Sequence, residues 1–215
     1  MGADISKFEA VQLQPLPQPI AAIDPRFCLQ QPVSLLIKEK IFSFSGDDFS
    51  IKDATTGQVY FKVDGRAFMS LREKKTFLDA YGQPIMNMKQ QLMAFVPNHS
   101  LYYGNDSKNK ILDIRAHFTL MKPKLTVTFT DKNNGIKCEI GLKGNWLARR
   151  SLIWIDIGCK GVENRIFIAK VTSPILTGRN MFFDKQDYLL TVVPGMDIAL
   201  LVAVCVALDE RSRDK

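Results

Sequence analysis

The sequence predicts a mainly β fold: a closed antiparallel barrel of about twelve strands around a buried C-terminal hydrophobic α-helix. Three observations predict it. First, Ile198–Leu208 is an unbroken apolar run. As a helix it would be only ~16 Å long against the ~30 Å of a hydrocarbon core, too short to span a bilayer. It has no polar face, so it needs protein on every side. Second, the chain before it divides into short strand-like stretches separated by turn residues. Third, the last of those stretches are apolar on both faces and need cover on two sides. A closed barrel removes exposed strand edges and gives the helix an interior. That interior is wide enough only with ten or more strands.

The elements follow in order. Residues 1–25 form an extended leader outside the fold. Gln12-Leu13-Gln14-Pro15-Leu16-Pro17-Gln18-Pro19 alternates proline with polar or single apolar residues, which suits unpaired chain. The barrel occupies residues 26–210, with no linker inside it, and residues 211–215 are a charged tail. Val33–Lys38 is the first strand. Phe49-Ser50-Ile51-Lys52 enters the turn Asp53-Ala54-Thr55-Thr56-Gly57, whose glycine can take positive φ, and Val59–Val63 alternates cleanly. The phrase returns as Phe77-Leu78-Asp79, Ala80-Tyr81-Gly82-Gln83-Pro84 and Ile85–Lys89, so two hairpins follow each other in a meander.

In the second half, Leu112, Ile114, Ala116 and Phe118 face one way and Asp113, Arg115 and His117 the other. Leu125, Val127 and Phe129 alternate with threonines. The Asn133-Asn134-Gly135 turn leads into Ile136, Cys138, Ile140 and Leu142. These are half-buried antiparallel strands. Leu152–Ile157, Ile166–Val171 and Tyr188–Val193 are the strands with two apolar faces. Asp197 stands where it can cap the helix.

The chain has 215 residues, 46% of them hydrophobic and 24% charged, enough for a true core. The net charge of +7 is uneven. Residues 115–179 hold twelve Lys/Arg and four Asp/Glu, leaving +8 there and −1 elsewhere. Such a window attracts phosphate-rich partners if its cations share one side, and is an ordinary polar face if they scatter. The four cysteines form no Cys-x-x-Cys pair, and Cys138 and Cys205 fall on apolar faces as small buried hydrophobes. No secretion signal begins the chain, which points to a reducing, cytoplasmic compartment with free thiols. Asn98-His99-Ser100 and Asn105-Asp106-Ser107 are then turns rather than glycosylation sites.

Catalytic chemistry is not visible. His117 is outward on a strand and His99 sits in a Pro-Asn-His-Ser turn, both as surface residues. There is no Gly-x-Ser-x-Gly, His-Glu-x-x-His or Walker pattern. Asp131-Lys132-Asn133-Asn134-Gly135 misplaces the glycine of a calcium loop, and Leu142 stands where its bidentate Glu belongs. No catalytic residue, metal ligand or cofactor is assigned. The basic window is the candidate site. Lys122 and Lys124 flank Pro123 at a turn, and Lys143, Arg149 and Arg150 bracket Trp146. Cations beside an amphipathic ring suit an anionic lipid interface. Nucleic acid is the weaker ligand, for want of a basic helix or an aromatic RNP-like strand. Gly2 with Ser6 matches the N-myristoylation pattern and would add a tether.

The ending Asp187-Tyr188-Leu189-Leu190-Thr191-Val192-Val193-Pro194-Gly195-Met196-Asp197-Ile198 resembles the LURP-one-related family. That family belongs to the Tubby C-terminal-like superfamily, with the phospholipid scramblases as relatives. Phe49-Ser50-Ile51-Lys52-Asp53 with Gly57 and Phe61-Lys62-Val63, Leu78-Asp79 with Gly82-Gln83-Pro84-Ile85, and Lys143-Gly144-Asn145-Trp146-Leu147 carry the same resemblance. It covers residues 26–210 and implies a twelve-stranded barrel around a C-terminal helix. Gln91-Leu92-Met93-Ala94-Phe95-Val96 departs from it, lacking the tryptophan usual there. The resemblance implies a non-enzymatic protein in signalling or defence. The expected partner is an anionic, phosphoinositide-type headgroup at a membrane surface, and the expected state a monomer that could also enter the nucleus. The alternatives are a soluble protein-interaction or transcription-related module, and a scramblase-like lipid-handling protein.

Overall fold

The computed structural model describes residues 8–37, 49–64, 74–91, 98–119, 122–173 and 187–213. Twelve strands form a closed antiparallel barrel. They are β1 (Val33–Ile37), β2 (Phe49–Asp53), β3 (Val59–Asp64), β4 (Lys74–Asp79), β5 (Pro84–Gln91) and β6 (Asn98–Tyr103). The second half contributes β7 (Lys110–Thr119), β8 (Lys122–Thr130), β9 (Lys137–Asn145), β10 (Arg150–Ile157), β11 (Arg165–Thr172) and β12 (Tyr188–Val192). Each strand pairs with its neighbours in sequence, and β1 closes on β12 with Val33 opposite Val192 and Leu35 opposite Leu190. The expected fold class and strand count are what the structure has.

Helix α1 (Ile198–Arg213) fills the interior. Every residue from Ala199 to Leu208 is fully enclosed. Around it stand Leu35, Ile51, Phe61, Phe77, Met86 and Leu101, with Ile114, Val127, Ile140, Ile153 and Ile155 across the barrel. Complete burial of one Val, Leu or Ile contributes about 1.5–3 kcal/mol, so this helix is held by packing rather than by propensity. It runs one turn further than its apolar stretch, taking Asp209 inside and carrying residues expected in the tail.

Asp197 caps α1 as expected and also does something unexpected. Its Oδ1 accepts N–H bonds from Ala199 and Leu200 at 3.0 and 3.2 Å. Its Oδ2 accepts three more, from Ala22, Ile23 and Asp24, the shortest 2.7 Å from Ile23. Burial pushes this carboxyl up in pKa, while those amides oppose the rise.

The leader is therefore corrected. It is not outside the fold. Ile20, Ala21, Ala22 and Ile23 are buried and close the barrel end where α1 begins. Ile20 donates to Gly195 O at 2.8 Å, and Ala21 donates to Asp131 Oδ1 at 2.9 Å. Upstream, Gln14 N–H donates to Phe167 O at 3.0 Å along β11, and Leu13 and Leu16 pack on the core. The reason is the two-faced apolarity of β10 and β11. Leu152 and Trp154 point away from the helix yet are nearly solvent-free.

One expected turn differs as well. His99 is not a surface turn residue: it lies within β6, fully buried, and Asn98-His99-Ser100 is strand. Burial, then Lys75 and Arg211, push its imidazole down to about 3. Cys138 and Cys205 are buried as expected, and all four cysteines are free.

Candidate functional site

The outer wall of β7–β11 is built by alternation. Inward residues serve the core and outward ones meet solvent. On β8, Leu125, Val127 and Phe129 are buried while Lys124, Thr126 and Thr128 are exposed. Thr126 pairs with Gly141 of β9. Two residues past that last pair of the ladder, Lys124 of β8 and Lys143 of β9 lie toward the same end of the two strands. Lys143 in turn pairs with Leu152 of β10, and Leu152 with Lys170 of β11. Three lysines thus lie in one lateral row near the helix-end mouth of the barrel.

The row is not uniform. Lys124 and Lys143 are exposed, and the Lys143 ammonium lies 5.8 Å from the centre of the Phe167 ring. Lys170 is half-buried and occupied by the leader. Its Nζ donates to the carbonyls of Glu9 and Val11 at 3.3 and 3.1 Å and stands over the Phe8 ring. Burial pushes its pKa down, with Glu9 acting the other way. Arg150 shares the outward face by alternation and is half-buried. Next to the row, Trp154 lies flat across Gly141, with the Arg165 guanidinium 3.7 Å from its ring centre. A Cβ on residue 141 would fall 2.0 Å from Trp154 Cζ2, so this wall requires glycine.

The residues expected to meet lipid divide. Lys124 and Lys143 are brought together on one face, with Arg150 on the neighbouring strand. Lys122 begins β8, but its side chain lies outside the described residues, as does Gly2. Trp146 and Arg149 are corrected: neither is at the surface. Trp146 is fully buried and Arg149 nearly so. Both turn inward to Asp209 of α1. Trp146 Nε1 donates to Asp209 Oδ1 at 3.2 Å and Arg149 Nη1 to the same oxygen at 2.8 Å. Tyr188 donates its hydroxyl to Oδ2 at 2.7 Å. The Trp146 and Tyr188 rings meet edge to face at 5.6 Å. A carboxylate in the last turns of an enclosed helix opposes the helix dipole and has lost its water. It needs these three donors. The Trp-and-cation cluster is the fold's solution to a buried charge.

Beside it, Glu210 is shared by Lys75 of β4 and His99, whose Nε2 lies 2.6 Å from Glu210 Oε2. These two clusters tie α1 to β4, β6, β12 and the β9–β10 turn.

Sequence reasoning missed three cations at the opposite end. Lys110, Lys132 and Lys137 ring a cleft of about 360 Å³. Lys132 and Lys137 lay in the basic window but next to turn residues that looked like plain hairpin. Their convergence with Lys110 depends on the β6–β9 register, which spacing along the chain does not show.

Comparison with known proteins bears on the family and the fold. A family model described as LURP-one-related matches residues 33–209. Protein LURP-one-related 10 of Arabidopsis thaliana is 26% identical over 91% of this chain and 98% of its own length. Protein LURP-one-related 15 of the same plant is 25% identical over 89% and 86%. Protein LURP-one-related 1 is 27% identical over 91% and 85%. An X-ray structure of an Arabidopsis thaliana protein superposes with a TM-score of 0.59 at 21% identity, covering 90% of this chain and 99% of that one. That likeness concerns the fold.

Proposed function

The chain belongs to the LURP-one-related family, and from that premise we propose that it is a non-enzymatic barrel that docks on anionic membrane surfaces through the Lys124–Lys143 row. The supporting observation is the exposure of these two lysines toward the same end of adjacent strands, with Arg150 on the next strand. Each cation held near an anionic leaflet contributes about 1 kcal/mol, so the pair changes affinity by a factor of about 30. Phosphoinositide headgroups concentrate the same charge and are the preferred target. Acylation of Gly2 would add a second anchor to a surface that binds weakly alone. A role in signalling or defence is part of this reading.

No helix of the described residues is long and apolar enough to cross a membrane. A scramblase-like role would require α1 to leave the barrel, against the burial of its whole apolar stretch.

Sedimentation with phosphatidylcholine vesicles, with and without phosphatidylserine and a small fraction of phosphatidylinositol bisphosphate, tests the proposal. Wild-type protein pellets with the anionic vesicles at low salt and less at high salt, because exposed charges are screened within ~8 Å at physiological ionic strength. Lys124→Ala with Lys143→Ala reduces pelleting at an unchanged melting temperature. Wild-type protein that ignores anionic vesicles at low salt would leave the soluble interaction module as the better account.

A further inference from the structure

The leader has two parts that are held differently. Residues 20–23 are buried, and the amides of Ala21, Ala22 and Ile23 donate to Asp131 and Asp197. Residues 8–19 lie on the outer wall, with Leu13 and Leu16 half-buried and Pro15, Pro17 and Pro19 exposed. Beneath them is the part of β11 that the β12 ladder does not reach. That ladder covers Ala169–Thr172, and Val193 N–H then donates to Ile168 O at 3.0 Å. Ile168 is an extra residue against β10, since Ile153 faces Ala169 and Trp154 faces Phe167. A bulge of this kind re-aims the backbone. The carbonyl before it, Phe167 O, accepts from Gln14 N–H of the leader at 3.0 Å.

The leader thus sits along β11 as a bound peptide would. It runs antiparallel to the strand, with the Val11 carbonyl at Lys170 and the Gln14 amide at Phe167. Leu13 and Leu16 pack on the core, and Leu16 lies against Gly195, where an added Cβ would stand 3.5 Å from Leu16 Cβ. Proline has no N–H, fixes its own φ and biases the residue before it to extended backbone. The segment therefore keeps its shape at little cost in ordering. Main-chain bonds set its position and two leucines three residues apart fill the apolar places, the division of labour used when a sheet edge receives an extended peptide. Val11–Pro19 carries no charged side chain, so this recognition is not that of the lysine row. The firm hold begins at Pro19, whose carbonyl accepts from Asn133 Nδ2 at 2.9 Å. Residues before it are fastened by one amide, the Lys170 ammonium and half-buried side chains. A segment held in this way opens locally at a smaller free energy than residues whose amides are buried.

We propose that the groove along β11 is a docking site for an extended segment of a partner protein, one with two leucine-type residues three apart and prolines between and after them, and that the chain's own leader occupies it as a built-in competitor. The seated leader defines the partner's chemistry: a carbonyl acceptor for Lys170, an amide donor for Phe167 O three residues later, and apolar side chains on either side of that amide. A tethered competitor acts at an effective concentration in roughly the millimolar range. The partner engages only when residues 8–19 lift away, and its apparent affinity falls by the fraction of chains in which the groove is open. Residues 20–23 stay in place meanwhile, because Asp131 and Asp197 hold them independently of β11.

Fluorescence anisotropy of the full chain with a labelled synthetic peptide of residues 8–19 tests this. Leu13→Asp with Leu16→Asp in the chain releases its own leader and leaves residues 20–24 intact. That variant binds the peptide one-to-one, at least about tenfold more tightly than wild type. Gln14→Pro removes only the amide donor, is the milder release, and shifts binding in the same direction. Adding Lys170→Ala to either released chain weakens binding about tenfold. A peptide carrying the same two leucine changes does not bind. Released chains that melt cooperatively and ignore the peptide overturn the proposal, as does equal binding by released and wild-type chains. Wild-type protein that dimerises with rising concentration in sedimentation and loses the dimer on Leu13→Asp/Leu16→Asp assigns the groove to the leader of a second copy, and that too overturns the partner reading.

Discussion

Asp197 and Ile23, 174 residues apart, are joined by a 2.7 Å hydrogen bond from the Ile23 amide to Asp197 Oδ2. The other oxygen of the same carboxylate caps α1. One side chain therefore fastens the closing segment of the barrel to the start of its central helix. Asp197→Ala leaves five amides, four of them buried, without their acceptor. A lost cap costs about 1 kcal/mol and each orphaned buried donor about 1–3 kcal/mol, so a loss of several kcal/mol is expected. In a domain of this size that lowers the melting temperature by roughly 10 °C. Deleting residues 1–24 removes the partners from the other side and should destabilise comparably. A truncation that melts like the full chain would return the leader to the role the sequence first implied.

Trp146 and Arg149 are expected to behave as core residues. Arg149→Ala leaves the enclosed Asp209 without its guanidinium and should cost about 3–5 kcal/mol. Trp146→Phe keeps the ring contact with Tyr188 and loses the indole donor, and should cost less. Chemical denaturation measures both. Neither change should alter vesicle binding in protein that remains folded, in contrast to Lys124→Ala/Lys143→Ala.

His99 makes stability depend on pH. Its folded pKa of about 3 lies below the unfolded value near 6.5, so the unfolded chain binds a proton that the folded chain does not. Its contribution is complete above pH 6.5 and is lost as pH falls from there toward 3, at about 1.4 kcal/mol per pH unit. His99→Gln should flatten that slope in urea melts between pH 7 and 4. A stability that instead rises on acidification would mean that Glu210, rather than burial and Lys75, governs the imidazole.

Gly141→Ala should displace Trp154 from the outer wall. The added Cβ would lie far inside van der Waals contact with the indole. Overpacking of this kind costs about 1–3 kcal/mol. Red-shifted tryptophan emission with loss of the Arg165 stack is the expected signature, and an unchanged spectrum would show that the ring shifts within its place.

The barrel and its helix were legible because they rest on local patterns. Ile198–Leu208 lacks a polar face, and alternation along Leu125–Phe129 and Cys138–Leu142 marks which side is in. What was not legible depends on distant pairs. Ala21 and Asp131 are 110 residues apart, and Trp146 and Asp209 63 residues apart. Ile20–Ile23 is too short a run to show any period, so the leader looked dispensable. Trp146 among cations fits a membrane interface and a buried carboxylate equally well until Asp209 is seen beside it. The lysine row was half visible, since Lys124 and Lys143 were named but their adjacency needs the β8–β9 register.

The meander with an internal helix has a consequence for synthesis. Each hairpin can form as its second strand leaves the ribosome, since pairing follows sequence order. Closure of β1 on β12 and filling by α1 must wait until residues 188–213 have been made. Until then a nascent sheet of eleven strands presents its apolar concave side with nothing to cover it, the kind of surface that draws chaperones or aggregates. Nonsense and frameshift changes anywhere upstream of α1, however late, are therefore expected to give no partially active protein, because the piece that every strand was built around is made after all of them.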